Sequence, residues 1–427
     1  MNDFDVIIVG AGLSGLVCSQ ELVGSGRRCV VLESSDDVGG RARTDVVDGY
    51  QLDRGFQVLL TAYPEAQKLI NYDQLGLGHF ASGALVRFKG KFHRLSDPLR
   101  QPSQAISSLL SPVATFGDKL RMLKLKNDVC RLSLDEIYRR PELKTIEVLR
   151  DRGFSKTVIE SFFRPFLGGV FLDRSLWTSS RMFEFVFKMF STGAAALPAE
   201  GMGAIARQLA GKIPSDTIRL NTAVKCVEKG RVTLSNGEVL IAKSVVLATD
   251  ARNAMQLLAK HVNDDSSSEN RNSEQQQSTP SVTCIYFAAD RPPLKEPILV
   301  LNGENHGPIN NVCVPSQVAA SYAPPGKSLV SVSVIGDPKL DDVALEVSVR
   351  SQLIDWFGAE TNQWRHLKTY RIREALPNQF PPALAEVEKP AKLADGIFVC
   401  GDYRDTASIQ GVMSSAKRAA AKVLAEN

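Results

Sequence analysis

Residues 5–44 read DVIIVGAGLSGLVCSQELVGSGRRCVVLESSDDVGGRART. The apolar run Val6 to Val9 passes at once into Gly10-Ala11-Gly12-Leu13-Ser14-Gly15, and a helix-patterned segment follows through Leu16, Val17, Cys18 and Leu22. A second apolar run, Cys29 to Leu32, ends in Glu33, which closes a βαβ unit of the length a parallel strand pair needs. The glycines serve different purposes. Gly10 makes the sharp turn, Gly12 admits a diphosphate to the backbone, and Gly15 lets the helix pack closely on the strands. The helix start offers unpaired N–H groups and a partial positive charge. Glu33 stands about 20 residues on, where an acid accepts hydrogen bonds from an adenosine ribose.

The chain contains a control for this reading. Gly201-Met202-Gly203-Ala204-Ile205-Ala206 matches the same string, but no apolar strand run precedes it. It reads as a loop-to-helix junction, so a second dinucleotide in the same chain is not expected.

Gly39-Gly40-Arg41-Ala42-Arg43-Thr44 after the acid, taken with Gly401-Asp402 and Ile409-Gln410-Gly411 near the C-terminus, resembles the FAD-dependent amine oxidase, phytoene desaturase and protoporphyrinogen oxidase superfamily. The resemblance implies an α/β fold, α+β overall. A Rossmann-like FAD domain would be assembled from residues 1–80, 196–280 and 390–427. A helical subdomain facing substrate or membrane would span 81–195, and an antiparallel-rich substrate sheet 281–389. It also implies non-covalent FAD held by Gly10 to Gly15, Glu33, Gly39, Gly40, Arg41 and Arg43. Gly55, Phe56 and Gln57 would lie along the flavin's reactive edge, and Val224 would meet the adenine. Asp402, after Gly401, would lie at the ribityl or diphosphate region, and the amides of Ile409, Gln410, Gly411 and Val412 would face the pyrimidine end. Arg164 to Asp173 with Ser179-Ser180 is similar to the desaturase and porphyrinogen oxidase branch, and Ala196 to Ala206 to the chain's return into the FAD domain.

Two departures bear on chemistry. Gln410-Gly411-Val412 stands where the superfamily usually has Glu-Gly-Ala, which removes a carboxylate and keeps the backbone. Ser408 stands where monoamine oxidases carry a cage aromatic, leaving Tyr403 as the available substitute. Between Cys313 and Cys400 there is no cysteine, so a thioether to the flavin is not expected.

The 427 residues are too many for one simple core. A hydrophobic content of 44% with a net charge of +4 suits a globular enzyme and gives no basic tail for nucleic acid. No run reaches the ~20 apolar residues of a membrane span, and the first strand starts at Asp5, so cytoplasmic residence is expected, with membrane association beside it. Seven cysteines without CxxC spacing read as buried thiols. The five histidines show no pairing, so no metal site is expected, and no catalytic acid or base is singled out.

Leu85 to Lys126 holds nine basic residues against Asp97 and Asp118, and apolar positions from Phe116 to Leu134 recur at helical spacing. Phe154 to Phe190 holds nine of the nineteen phenylalanines. The pair of features suits either a core with a solvated face, or an apolar tunnel with a membrane-facing helix. Ile218 to Val227 reads as one strand, Arg231 to Ala242 as a hairpin around Asn236-Gly237, and Val245 to Thr249 as a buried strand. Residues 261–280 are polar and read as an exposed loop. Strands are expected at Val282 to Ala288, Ile298 to Leu301, Asn311 to Val314, Leu329 to Ile335 and Leu367 to Ile372, with a helix at Val343 to Phe357.

Four functions follow. A desaturase or oxidase would pass hydride from a polyene, prenyl or porphyrinogen-like substrate to flavin N5. The others are an amine or amino-acid oxidase, a redox-neutral isomerase, and a flavin-binding protein without catalysis.

Overall fold

Within the strand Phe4–Val9 the run Val6 to Val9 has no polar face to turn to water, so it is covered on both sides, with Val6, Ile7 and Ile8 fully buried. In this computed structural model, which describes residues 3–96, 100–101, 105–259 and 279–426, it lies parallel between Cys29–Leu32 and Val239–Leu247. Ile397–Val399 runs parallel to the far side of Val239–Leu247, so both ends of the chain enter one sheet. Parallel strands share an exit edge. Gly10, Glu33, Ala248 and Gly401 therefore leave the sheet on the same side, the edge where open α/β sheets bind ligands. The helices Leu13–Gly24 and Ile409–Glu426 pack against each other, and Ala416, Ala419 and Ala420 keep that contact close.

The second sheet has seven strands in the order Arg365–Ile372, Val282–Ala289, Ser328–Ile335, Asn311–Cys313, Leu299–Asn302, Gly83–Phe88 and Lys91–Ser96. All neighbours are antiparallel except Leu299–Asn302 with Gly83–Phe88. The expected strands of the 281–389 segment are present within two residues at their ends, and the expected helix runs over Asp342–Phe357.

Some elements differ from the sequence reading. Residues 83–96 are a hairpin of the second sheet and not part of a helical segment. Lys89 and Gly90 both take positive φ, 52° and 72°, in a two-residue turn whose twist matches the strands. The strand expected from Ile218 to Val227 is broken into Ile218–Arg219 and Val224–Glu228, with Asn221 left-handed between them. The polar stretch 261–280 lies, but for its last two residues, outside the described residues.

The helical part follows its local signals. The helix Phe116–Arg131 starts at a capping box in which Thr115 and Asp118 satisfy each other's amides. The Lys188 ammonium donates to the carbonyls of Val129, Cys130 and Leu132, which lie at the other end. The phenylalanines divide: Phe154, Phe163, Phe171, Phe183 and Phe185 are buried core, whereas Phe162, Phe166, Phe187 and Phe190 are only partly buried. A single π turn, Ile159–Phe163, precedes the stacking of Phe162 on Phe166, with ring centroids 5.5 Å apart.

Asp53 ties a small two-stranded sheet to the second sheet. It ends the short strand Tyr50–Asp53 beside Thr44–Val47, and its carboxylate accepts from Thr44 Oγ1 at 2.6 Å, Tyr322 Oη at 2.7 Å and the Met202 amide at 2.9 Å. Tyr286 Oη, from the second sheet, donates to the Asp53 carbonyl at 2.9 Å.

Candidate active site

One cavity of about 1240 Å³ runs from the exit edge of the first sheet, across the second sheet, to the helical part. That exceeds the volume of ordinary single-ligand pockets, about 300–1,000 Å³, and leaves room for two ligands end to end.

Its first end is built from glycines. Gly10, at φ 105°, turns the chain out of the strand, and a Cβ there would approach the Ala248 carbonyl oxygen to 3.0 Å. Gly12 is the N-cap of Leu13–Gly24 and offers that helix no side-chain cap; the first turn carries no acid. Its amides and partial positive charge therefore face the cavity uncompensated. A Cβ on Gly12 would meet nothing within 4 Å, because it would stand in the cavity itself. Gly15 has the opposite surroundings. A Cβ there would lie 1.9 Å from the Gly10 carbonyl oxygen, so this glycine sets the helix-to-strand distance.

Glu33 lines the cavity and is also tied to its own loop. Its Oε2 accepts from the Ala11 amide at 2.8 Å, and its Oε1 from the Ser35 amide at 3.0 Å and the Ser35 hydroxyl at 2.6 Å. The acid thus holds the glycine turn against the end of the second strand. We expect Glu33→Ala to lose about 1.5–3 kcal/mol of charge-assisted hydrogen bonding, roughly tenfold or more in FAD affinity, read by flavin fluorescence titration. An unchanged dissociation constant would leave Glu33 only its part in holding the glycine turn.

Arg41 crosses the cavity floor. Its guanidinium forms an ion pair with Asp402 at 2.7 Å and donates to the Ala375 carbonyl at 2.7 Å, joining the N-terminal and C-terminal motifs directly. The Asp402 charge pushes the Arg41 pKa further up, so the cation persists at every working pH. Gly401, whose amide donates to Ser415 Oγ at 2.8 Å, fixes Asp402 to the last helix.

Of the residues expected at a cofactor, Gly10, Gly12, Leu13, Ser14, Glu33, Gly39, Gly40, Arg41, Gly55, Phe56, Gln57, Val224, Gly401, Asp402, Ile409 and Val412 line the cavity. Five do not. Ala11 and Gly15 face the helix and sheet, and Arg43 turns away to pair with Asp36 at 2.8 Å. Gln410 is buried with its Oε1 accepting the Glu65 amide at 2.8 Å, and a Cβ on Gly411 would lie 2.1 Å from the Thr406 carbonyl oxygen. The amides of Gly411 and Val412 are spent on Ser408, through its hydroxyl and its carbonyl respectively. Tyr403 also lies off the cavity, packed against the apolar core of the first sheet, so it does not replace the cage aromatic. Gly201 and Gly203 pack on Thr44 and none of residues 201–206 reaches the cavity, consistent with a single nucleotide site.

Other wall residues carry no recognisable motif. Thr222 and Ala223 arrive through the break after Arg219, Tyr63 from the start of the short helix Pro64–Leu69, and Ala375 and Leu376 from the end of the second sheet. Only the Ala407-Ser408 pair, two small residues ahead of a helix, left a trace of close approach in the sequence.

The glycine turn, the uncapped helix start, the acid at the second strand and the Arg41–Asp402 pair together fit an elongated adenine dinucleotide. Among the described residues no cysteine and no histidine lines the cavity, and no group of three or more metal-ligating side chains occurs. All seven cysteines are free and six are buried.

The second end of the cavity differs in chemistry. Its wall between residues 80 and 195 contains Phe80, Leu95, Phe162, Phe166, Phe187 and Phe190, three cations at its outer rim, and no acidic residue among those described.

Comparison with known proteins agrees with the geometry. The family model described as flavin containing amine oxidoreductase matches residues 13–424. Protoporphyrinogen oxidase 2 of Arabidopsis thaliana is 27% identical over 164 residues, 38% of this chain and 32% of that protein. Putrescine oxidase of Kocuria rosea is 44% identical over 73 residues, 17% of this chain and 15% of that protein. The matched segments thus span a third or less of these relatives' own length. An oxidoreductase from Methanosarcina mazei shares the fold, with a TM-score of 0.71 at 18% identity over 96% of this chain and 98% of its own.

Proposed function

The chain belongs to the flavin-containing amine oxidoreductase family, and from that membership we propose an FAD-dependent desaturase or oxidase that takes hydride from a large apolar substrate of polyene, prenyl or porphyrinogen type. The observation that carries the substrate class is the acid-free aromatic half of the cavity. An amine substrate arrives as an ammonium ion, and burying it without a carboxylate partner costs several kcal/mol. The described wall of residues 80–195 offers no such partner, and its rim cations Arg100, Lys119 and Lys126 repel a cationic amine.

Flavin, when bound, supplies the hydride acceptor. The chain's own residues bind, orient and exclude water. The glycine turn and the helix start take the diphosphate, and Glu33 the ribose. Arg41 and Asp402 hold the two halves of the floor together at 2.7 Å. Phe56, Phe162, Phe166 and Phe187 keep the substrate end dry, which strengthens every polar interaction near it. Peripheral membrane contact goes with this reading, because ligands of that class partition into bilayers; no described helix is long and apolar enough to cross one.

Two measurements test it. Anaerobic titration with a polyene, an isoprenoid and a porphyrinogen should bleach the flavin with at least one of them, and an amine panel under air should release no peroxide. Bleaching by amines alone would overturn the substrate class. Denaturation should release the flavin intact, since no described cysteine or histidine lines its cavity; colour retained on the denatured chain would contradict non-covalent binding.

A further inference from the structure

Tyr63 stands on the cavity wall just ahead of the short helix Pro64–Leu69. Phe185 stacks on its ring, with centroids 5.9 Å apart and planes 13° from parallel, and so holds the ring in place. The residue is 6% exposed, and that remainder lies on the cavity it lines. Its main chain is engaged, the amide donating to the Leu60 carbonyl and the carbonyl accepting from the Gln67 amide. Its hydroxyl has no hydrogen-bond partner among the described residues, and the oxygen is not sealed in the core.

Interior tyrosine hydroxyls ordinarily find a partner. Tyr286 and Tyr322 do so at Asp53, at 2.9 and 2.7 Å. The Tyr403 hydroxyl lacks one as well, but it is closed off from the cavity, so no ligand reaches it. Other polar groups of the cavity wall are tied up. Gln57 donates to the carbonyls of Arg41 and Arg54, Asn311 donates to Ser333 Oγ, and the Ser408 hydroxyl is held by Thr406 and the Gly411 amide. Burial pushes the Tyr63 pKa above that of a free phenol, so the hydroxyl keeps its proton at every working pH.

Two packing contacts place this hydroxyl. Phe185 belongs to the helix Ser180–Thr192, which supplies Met182, Val186 and Phe187 to the substrate end of the cavity. On the other side, the Glu65 amide holds the turn after Tyr63 to Gln410, next to Ser408 and Ile409 of the cavity wall. Tyr63 therefore stands where the two halves of the cavity meet.

We propose that the Tyr63 hydroxyl donates a hydrogen bond to an oxygen function of the substrate, so that the apolar half takes an oxygenated ligand, an alcohol or a carbonyl compound, in preference to a bare hydrocarbon. This rests on the apolar-substrate reading and narrows it. A hydroxyl covered by a hydrocarbon loses its water and regains no bond, whereas an oxygenated ligand restores one. A site built in this way rejects the analogue that lacks the group. The same bond fixes the ligand along the cavity and so selects which carbon faces the cofactor end.

Farnesene, farnesol and farnesal share a carbon chain and differ in oxygen, and their dissociation constants from the flavin-loaded protein are read by perturbation of the flavin spectrum. The wild type should bind farnesol or farnesal at least tenfold more tightly than farnesene. Tyr63→Phe should bring all three within about threefold of the wild-type farnesene value, with flavin content unchanged. Its ligand-free melting temperature should equal or exceed that of the wild type, because no bond inside the protein is lost. A lower melting temperature would give the hydroxyl a protein partner, and weakened flavin binding would give it to the cofactor; either overturns the proposal. So does an oxygen preference that is absent from the wild type or survives in Tyr63→Phe, and so does a wild type that binds none of the three. Bleaching separates this from the reading beneath it. If apolar compounds bleach the flavin without regard to oxygen and amines do not, only the role of Tyr63 is wrong. Bleaching by amines alone removes the substrate class, and the role of Tyr63 with it.

Discussion

Gly12→Val is expected to give a folded, colourless protein, and Gly15→Val a protein that does not fold. The two glycines sit three residues apart in one motif and differ in what a side chain would meet. At Gly12 an added Cβ points into open cavity with nothing within 4 Å, so the folded chain absorbs it without strain. The space it takes is the approach of a diphosphate to the helix start, where every ångström lost weakens several amide contacts at once. A loss of roughly 4 kcal/mol corresponds to about a thousandfold in FAD affinity. At Gly15 the same atom would lie 1.9 Å from the Gly10 carbonyl oxygen, which is backbone and cannot swing aside. Overpacking commonly costs about 1–3 kcal/mol where side chains can adjust. Here the helix would have to leave the sheet, a large share of a typical stability of about 5–15 kcal/mol. Circular dichroism and flavin content distinguish the two variants. Normal flavin in Gly12→Val would remove the diphosphate from that turn, and a folded, yellow Gly15→Val would disprove the packing argument.

Asp53 should make the protein less stable as pH rises through the mildly acidic range. Its carboxylate is 3% exposed, and burial pushes its pKa from 3.8 up to about 6 despite the donors from Thr44, Tyr322 and Met202. The sign follows from proton counting. Between pH 3.8 and about 6 the folded chain keeps a proton that the unfolded chain has lost. Stability therefore falls across that window, with a slope of up to about 1.4 kcal/mol per pH unit, and levels off above it. Asp53→Asn should flatten that slope in urea unfolding between pH 4 and pH 8. Asp53→Ala should cost roughly 3 kcal/mol or more at any pH, because buried donors at Thr44, Met202 and Tyr322 lose their shared acceptor. A slope that survives in Asp53→Asn would assign the titration to another group. The effect is felt across the fold because Asp53 is the point where Tyr286 and Tyr322 tie the second sheet and its connection to the Thr44–Asp53 hairpin.

Features with local causes could be read from the chain alone. Glycine spacing, the unbroken run Val6 to Val9 and the small residues Ala416, Ala419 and Ala420 each admit few backbone solutions. The βαβ unit, the C-terminal strand and helix, and most strands of the second sheet were therefore legible, as was the cavity position of sixteen candidate residues. What lies across each gap was settled by tertiary packing. Periodicity shows that one face of a helix is apolar but not whether core, cavity or solvent faces it. The phenylalanines of 154–190 accordingly divided between core and wall, while Ile106, Leu110 and Phe116 stayed exposed. Gln410 points to the Glu65 amide because the short helix after Tyr63 packs on the last helix, a contact spanning most of the chain. Asp53 reads in sequence as an ordinary strand-end acid; its pKa is raised by burial, which arises only when folding closes Met202, Tyr286 and Tyr322 around it.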